Sequence, residues 1–397
     1  MQYRLDARTG KELSILGFGV MRLPTSRGRI DMDKSEAMLL ESFNKGINFY
    51  DTAYIYPGSE TALGQFIAKN SLRDKIYIAT KMPLFLCRNY SDFDKYFNKQ
   101  LERLKTDYID YYFMHSLNSH SQWQELCDMG MEKWISEKKA QGKIHQIGFS
   151  FHGSYDDFIA ITDSYDWEFC MIQYNYSNIN YQAGIKGMRY AASKGLPVII
   201  MEPLLGGRLA TGLPTKAVDL LKASNPALSP AAWGLKWVWN HKEVTVLLSG
   251  MSNISQLSEN IATAGTATAD MLTKRELDTI DKVVDIFNAS YKVPCTGCNY
   301  CVPCPVKVDI PGCFAAYNTS FAFGKFAGLK EYAMSTGAFF SSQGSASTCI
   351  MCGKCEPLCP QNIPIREHMA EVSKRMEPLW YKAIVAFVQL FMKKRAK

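Results

Sequence analysis

Short, nearly continuous apolar runs punctuate the chain as far as Gly250, and between them apolar positions return every three or four residues. The runs are Ser14–Gly19, Gly46–Tyr50, Lys75–Lys81, Tyr108–His115, Lys143–Ser150, Phe169–Asn175, Leu196–Pro203 and Val244–Gly250. Runs that do not alternate with polar residues read as strands covered on both faces. Segments such as Ser35–Lys45, Phe93–Lys105 and Trp123–Gln141 carry the helical period instead. Strand and helix in regular alternation predict an α/β architecture, and eight such strands predict a (β/α)8 TIM barrel. The rival, a doubly wound open sheet, usually brings a glycine-rich phosphate loop. Gly17-Phe18-Gly19 is not that loop, because no third glycine opens a helix behind it. Arg8-Thr9-Gly10-Lys11 predicts a hairpin turn near the start. Thr273–Ser290 predicts a closing helix, with Thr273 and Glu276 in capping-box spacing.

Beyond residue 290 the pattern changes. Val293–Pro305 and Thr348–Pro360 are cysteine runs, joined by a helical-looking linker, Gly312–Lys330. The last segment, Leu379–Met392, is apolar on more than one face and is followed by Lys393-Lys394-Arg395. Two readings of it stand: docking on a domain or partner, or peripheral contact with an acidic membrane surface. The expected organisation is a barrel over residues 1–290, a small, mainly helical cysteine-rich domain over 291–375, and a tail helix over 376–397.

Composition narrows the function classes. The chain has 397 residues and a formal charge of +7, with no long basic block interleaved with aromatics, which argues against nucleic-acid binding. The N-terminal residues show no signal-peptide pattern, and no apolar stretch has the length of a membrane span. Eight of the 12 cysteines lie in the two tight runs, while Cys87, Cys127, Cys170 and Cys313 are isolated. Clustering of that kind without an export signal favours metal over disulfides, and so a reducing, cytoplasmic setting.

Three successive predicted strands deliver an ionisable residue at the C-terminal end, where parallel α/β proteins build their sites. Asp51 ends the second run, with Tyr56 five residues on; Lys81 ends the third and His115 the fourth. Taken singly, Asp51 and Tyr56 could be a helix cap and a packing aromatic, and His115 a strand-end histidine satisfied by backbone. Together, in the string Asp51-Thr52-Ala53-Tyr54-Ile55-Tyr56, they resemble the catalytic tetrad of the aldo-keto reductases. The resemblance runs from about Leu13 to about Asn260. It implies reduction of an aldehyde or ketone by NAD(P)H, or the reverse oxidation. Tyr56 would be the proton donor, Lys81 would lower its pKa, Asp51 would orient Lys81, and His115 would bond the substrate oxygen or tune the relay. The same resemblance implies a nicotinamide seat at Ser150, Gln173, Met201, Leu204 and Gly206. It places the adenosine-phosphate end at Gly250, Ser252, Gln256, Glu259 and Asn260. Two departures stand out: Phe151 replaces the asparagine that many members have there, and neither Gly250 nor Gln256 is basic. NADP(H) is the expectation from the family, with NAD(H) still open.

Cys349, Cys352, Cys355 and Cys359 have the spacing C-x2-C-x2-C-x3-C-P, the bacterial ferredoxin run for a [4Fe–4S] cluster. Four-cysteine zinc sites usually separate their ligand pairs more widely. Cys295, Cys298, Cys301 and Cys304 form a second run, one residue shorter before its last cysteine. In two-cluster ferredoxins the fourth cysteine of each run serves the other cluster. That rule groups Cys359 with Cys295, Cys298 and Cys301, and Cys304 with Cys349, Cys352 and Cys355; a single cluster on the second run is the alternative. The expected protein is a reductase of small carbonyl or alcohol substrates whose clusters pass electrons to or from a partner protein. A docking protein that uses its barrel as a scaffold is the rival.

Overall fold

Asp6 and Gly10 fold the N-terminus back on itself. The Gly10 amide donates to Asp6 O at 2.8 Å, the Asp6 amide to Lys11 O at 2.9 Å, and Asp6 Oδ1 accepts from the Arg8 and Thr9 amides. This turn joins β1 (Tyr3–Leu5) to β2 (Glu12–Ser14) as an antiparallel hairpin. The predicted first run is therefore divided: Ser14 belongs to the hairpin, and only β3 (Leu16–Gly19) enters the barrel. The computed structural model describes residues 1–26, 28–336 and 344–385.

A two-residue pair, β4 (Thr25–Ser26) and β5 (Arg29–Ile30), follows. Then come β6 (Phe49–Asp51), β7 (Tyr77–Met82), β8 (Ile109–Met114), β9 (Ile144–Phe151), β10 (Phe169–Gln173), β11 (Val198–Met201) and β12 (Val244–Ser249). With β3 they close an eight-stranded, all-parallel barrel in the order β3-β6-β7-β8-β9-β10-β11-β12. Every residue of β6, β8, β10 and β12 is buried, which is why these strands read as unbroken apolar runs. Phe49, Tyr111, Phe113, Phe169, Met171, Ile199, Val246 and Leu248 fill the interior. The Tyr111 hydroxyl donates to buried Asp6 Oδ2 at 2.6 Å, tying the hairpin turn to the barrel wall.

Capping residues set the helix starts. Asp31, Asn89, Ser154 and Asn253 each accept a backbone N–H two or three residues on. The helical stretch expected over Trp123–Gln141 is two helices, His120–Asp128 and Met131–Ala140. Gly130, at φ +91°, takes the left-handed position that ends the first helix.

The chain divides into two compact units: Met1–Pro203 with Ala232–Thr273, and Leu204–Ala231 with the residues from Lys274 onward. The first holds the barrel. The second is helical, with Thr215–Ser224 packed on Lys274–Ser290, and Ile310–Ala322 on Lys325–Ser335. The linker is thus two helices, parted at Gly324 (φ +96°). With Ile365–Met376 they enclose a core that includes Val293, Val308, Phe314, Tyr332, Met369 and Val372. Within the tail, Leu379 is exposed while Tyr381 is buried; residues 386–397, with the basic end, lie outside the described residues. No helix among the described residues is long and apolar enough to cross a membrane.

Candidate active site

Adjacent strands in the barrel order bring three of the four tetrad candidates side by side. Asp51 is the last residue of β6, Lys81 lies near the end of β7, and His115 directly follows β8; all three are buried. Lys81 Nζ donates to Asp51 Oδ1 at 2.5 Å and to Thr52 O at 2.7 Å. Tyr56 comes from the following loop, half-buried. Lys81 Nζ lies 5.3 Å from its ring centroid, and the ring meets that of His115 edge-on at 6.1 Å. The four residues therefore form one group, and the bland reading of Asp51 as a helix cap does not hold. Its carboxylate faces Lys81, and the helix Ser59–Asn70 starts after Gly58 with no side-chain cap.

Burial dominates the electrostatics. It lowers the pKa of the Lys81 ammonium, against which Asp51 and then Glu60 pull back up. It raises the Asp51 carboxyl, opposed by Lys81. His115 is held well below the ordinary histidine value by burial first, then by the charges of Lys81 and His152, so its imidazole is neutral at physiological pH. His152, one residue past β9, is itself pushed down to about 4 by burial. It stands beside the tetrad, and no motif in the sequence announced it.

A buried polar network braces Lys81 from behind. Glu60 Oε1 accepts from Thr80 Oγ1 (2.7 Å) and Gln100 Nε2 (2.8 Å), and Glu60 Oε2 accepts from Arg103 Nη1 (3.0 Å). Gln100 Nε2 also reaches the Lys81 carbonyl at 3.0 Å, and Tyr112 donates to Gln100 Oε1 at 2.6 Å. Glu60 lies in the same sequence stretch as Asp51 and Tyr56, but its role depends on partners 20 and 40 residues away.

The residues expected to hold a nicotinamide nucleotide fall at the C-terminal ends of the next strands. Ser150 is buried near the end of β9, and its Oγ accepts from the Ser116 amide at 2.8 Å. Gln173 ends β10 fully buried. Its Nε2 has no hydrogen-bond partner among the described residues, leaving a donor in place for a bound carboxamide. Met201 ends β11. After β12, Gly250 leads to the Asn253-capped helix Ile254–Gly265. Ser252 donates to Gln256 Oε1, Asn260 Nδ2 donates to Ser249 Oγ at 3.0 Å, and Glu259 is partly exposed on the same helix. The Arg22 stem lies 3.1–3.4 Å from where a Cβ on Gly250 would sit. Leu204 and Gly206 belong to the other compact unit.

In that unit the thiols lie close enough to raise one another's pKa. The Cys295 thiol is pushed up to about 12 by burial, with Cys298 and Cys359 adding, while a hydrogen bond from the Gly297 backbone and, less, Arg208 pull it back. Cys301 is pushed up to about 12 by burial and then by Cys295, Cys298 and Cys359. Cys355 is raised by burial first, then by Glu356, with Cys349 and Cys304 adding less. Cys301, Cys304, Cys349, Cys352 and Cys355 also line a cavity of about 240 Å³. Among the described residues no three ligating side chains close on a single ion centre. Thiols set around a cavity fit a multinuclear cluster better than one tetrahedral zinc with ~2.3 Å Zn–S bonds.

The sequence profile of the Aldo/keto reductase family matches residues 15–285, and that of a 4Fe-4S dicluster domain matches residues 294–363. An L-galactose dehydrogenase from Arabidopsis thaliana is 29% identical over 290 residues, covering 66% of this chain and 88% of its own. A methylglyoxal reductase from Escherichia coli is 28% identical over 236 residues, covering 57% and 77%. Among solved structures, the holo form of an aldo-keto reductase from Bacillus halodurans superposes with a TM-score of 0.58 at 25% identity, covering 71% of this chain and 96% of its own.

Proposed function

This chain belongs to the aldo/keto reductase family and carries a 4Fe-4S dicluster domain, and on that premise we propose an NADP(H)-dependent reductase of small carbonyls, or dehydrogenase of the matching alcohols, with Tyr56 as proton donor. The family makes it an oxidoreductase acting on carbonyl or alcohol groups. The observation that carries the finer reading is the buried Lys81–Asp51 pair beneath the Tyr56 ring. When bound, the reduced nicotinamide supplies the hydride. The chain's own residues manage the proton. As the carbonyl oxygen becomes an alkoxide, the Tyr56 hydroxyl delivers its proton and is left a phenolate. The Lys81 ammonium stabilises that charge, and Asp51 and Thr52 O hold Lys81 in place. His115, kept neutral, offers the substrate oxygen a hydrogen bond rather than a charge. Gln173 Nε2 and Ser150 Oγ orient the carboxamide, and Arg22 supports the NADP(H) preference by placing a guanidinium-bearing side chain at Gly250.

The cysteines hold two [4Fe–4S] clusters in this reading, supported by the charge neighbours that link Cys359 to the first run and Cys304 to the second. A hydride carries two electrons, whereas such a cluster passes one at a time, and no flavin site is evident in the sequence. The clusters therefore exchange electrons with an external one-electron partner. Anaerobically prepared protein titrated with NADPH and NADH, then assayed against small aldehydes, ketones and alcohols, tests the reading. Saturable binding and turnover are expected. Nucleotide binding without turnover on any of them would leave the barrel a docking scaffold.

A further inference from the structure

Two apolar stripes run through the segment that begins at Leu379, and the helical unit covers only one of them. Residues 379–385 are helical. On one side Tyr381 is buried, its ring centroid 6.1 Å from that of Tyr332, and Val385 packs on the core of the unit. On the other side Leu379, Trp380 and Ile384 are 87%, 49% and 48% exposed. The sequence continues both series past residue 385. Tyr381, Val385, Val388 and Met392 share one helical stripe, and Trp380, Ile384, Phe387 and Phe391 share the other. Helix Lys325–Ser335, which carries Tyr332, adds exposed Phe326 and Met334 with exposed Lys330 between them.

Charge decides what suits the uncovered stripe. The last acidic residue is Glu377, which is buried and accepts from the Tyr332 hydroxyl at 2.6 Å and the Ser347 amide at 3.0 Å. From Pro378 to Lys397 the only ionisable side chains besides Tyr381 are cations: Lys382, Lys393, Lys394, Arg395 and Lys397. Lys382 Nζ stands 3.9 Å from Glu377 Oε2, so the surplus positive charge lies in the last five residues. A second copy docking by the same stripe would bring like charge to it. An anionic lipid surface brings the opposite charge, and tryptophan and phenylalanine settle at its headgroup boundary.

We propose that Leu379–Arg395 is a peripheral anchor for an anionic lipid surface. Tyr381 and Val385 fasten it to the helical unit, Leu379, Trp380 and Ile384 enter the headgroup boundary, and the basic residues meet acidic headgroups. The apolar run Leu379–Met392 falls short of the ~20 residues a spanning helix needs, so the contact lies in the membrane plane. The apolar stripe and the cations are two weak signals that hold together, and removing either releases the protein. This anchor is independent of the catalytic and cluster readings above.

The test is co-sedimentation of the full-length, anaerobically reconstituted protein with vesicles. One set is phosphatidylcholine alone, the other an equal mixture of phosphatidylcholine and phosphatidylglycerol. Partition onto the mixed vesicles should be at least about tenfold stronger, and should fall when salt is raised to ~1 M, where the Debye length is ~3 Å. Trp380→Glu combined with Ile384→Glu should abolish binding to both. Replacing Lys393, Lys394 and Arg395 by Gln should remove the preference for the anionic vesicles and the salt dependence together. Should the first variant also lower the thermal midpoint, Leu379→Glu, at the most exposed position of the stripe, repeats the test on an intact fold. Equal partition onto the two vesicle types, or binding that survives both variants, overturns the inference. So does a stable oligomer in the absence of lipid that Leu379→Glu splits, which would give the stripe to a second copy of the chain.

Discussion

Lys81 makes two charge-assisted contacts, to Asp51 Oδ1 and Thr52 O, and lies against two rings, Tyr56 and Phe113. A phenol beside a buried ammonium is what proton donation to an alkoxide needs, so Tyr56→Phe should cut turnover by ~10²–10⁴-fold. Nucleotide Kd should stay nearly constant, because the expected carboxamide contacts are Gln173 and Ser150; a loss below tenfold would take Tyr56 out of the role. Arg22→Ala should weaken NADPH binding at least fivefold more than NADH binding, as measured by paired fluorescence titrations. Equal effects would detach Arg22 from the 2′-phosphate. His152 sets a pH dependence of stability. Its imidazole protonates near 6.5 when unfolded but only near 4 when folded. The unfolded chain therefore gains the proton first as pH falls. Stability is full above pH 6.5 and is lost as pH drops toward 4, by up to about 3 kcal/mol. His115, also held low, adds loss of the same sign. Urea unfolding between pH 7.5 and 4.5 should show a shallower decline for His152→Gln than for the natural chain, and identical slopes would refute the assignment.

At the scale of elements, two helices must touch at their backbones for the site to be braced. In Ser59–Asn70, a Cβ on Gly64 would lie 2.2 Å from Arg103 O and 2.7 Å from Leu104 C, on the helix Tyr90–Leu104. These helices carry Glu60, Gln100 and Arg103, which together hold the Lys81 carbonyl and Thr80. Replacing glycine by alanine within a helix normally stabilises by about 1 kcal/mol. Here the clash is with backbone that cannot rotate away, and overpacking costs about 1–3 kcal/mol. Gly64→Ala should therefore destabilise the protein in chemical denaturation and lower kcat by loosening Lys81; a gain in stability would show that the helices part freely. The signal for this contact in the sequence is slight. Gly64 reads as an ordinary helical interruption until the partner helix is in place. The break at Gly130 was similarly invisible, because the apolar period runs on through both helices while the backbone between them turns left-handed.

At the scale of the molecule, the second unit takes the segment Leu204–Ala231, with its helix Thr215–Ser224, from within the family-matched stretch and joins it to the cysteine-rich residues. Anaerobically reconstituted protein should bind close to eight irons and eight sulfides per chain. Cys304→Ser and Cys359→Ser should each lose a different cluster, distinguishable by EPR, because Cys304 neighbours Cys355 while Cys359 neighbours Cys295 and Cys301. Loss of the same signal in both variants, or four irons in the unaltered chain, would leave a single cluster.

The barrel, the tetrad and the cysteine runs were legible in the chain because each is written locally. Strand and helix periods, the Asp51–Tyr56 string and C-x2-C spacing need no knowledge of what lies across the fold. Barrel closure decided the rest. It set Lys81 against Asp51, brought His152 to His115, carried Arg22 to Gly250 and aligned Glu60 with Gln100, pairs whose members lie 30 to 228 positions apart or on different elements. Burial then fixed their charge states, since desolvation depends on the whole enclosure and not on neighbouring letters. The approach of Gly206 to Thr296 is of the same kind. The sequence supplies a glycine that can be left-handed, and only the tertiary structure supplies the backbone it must not strike.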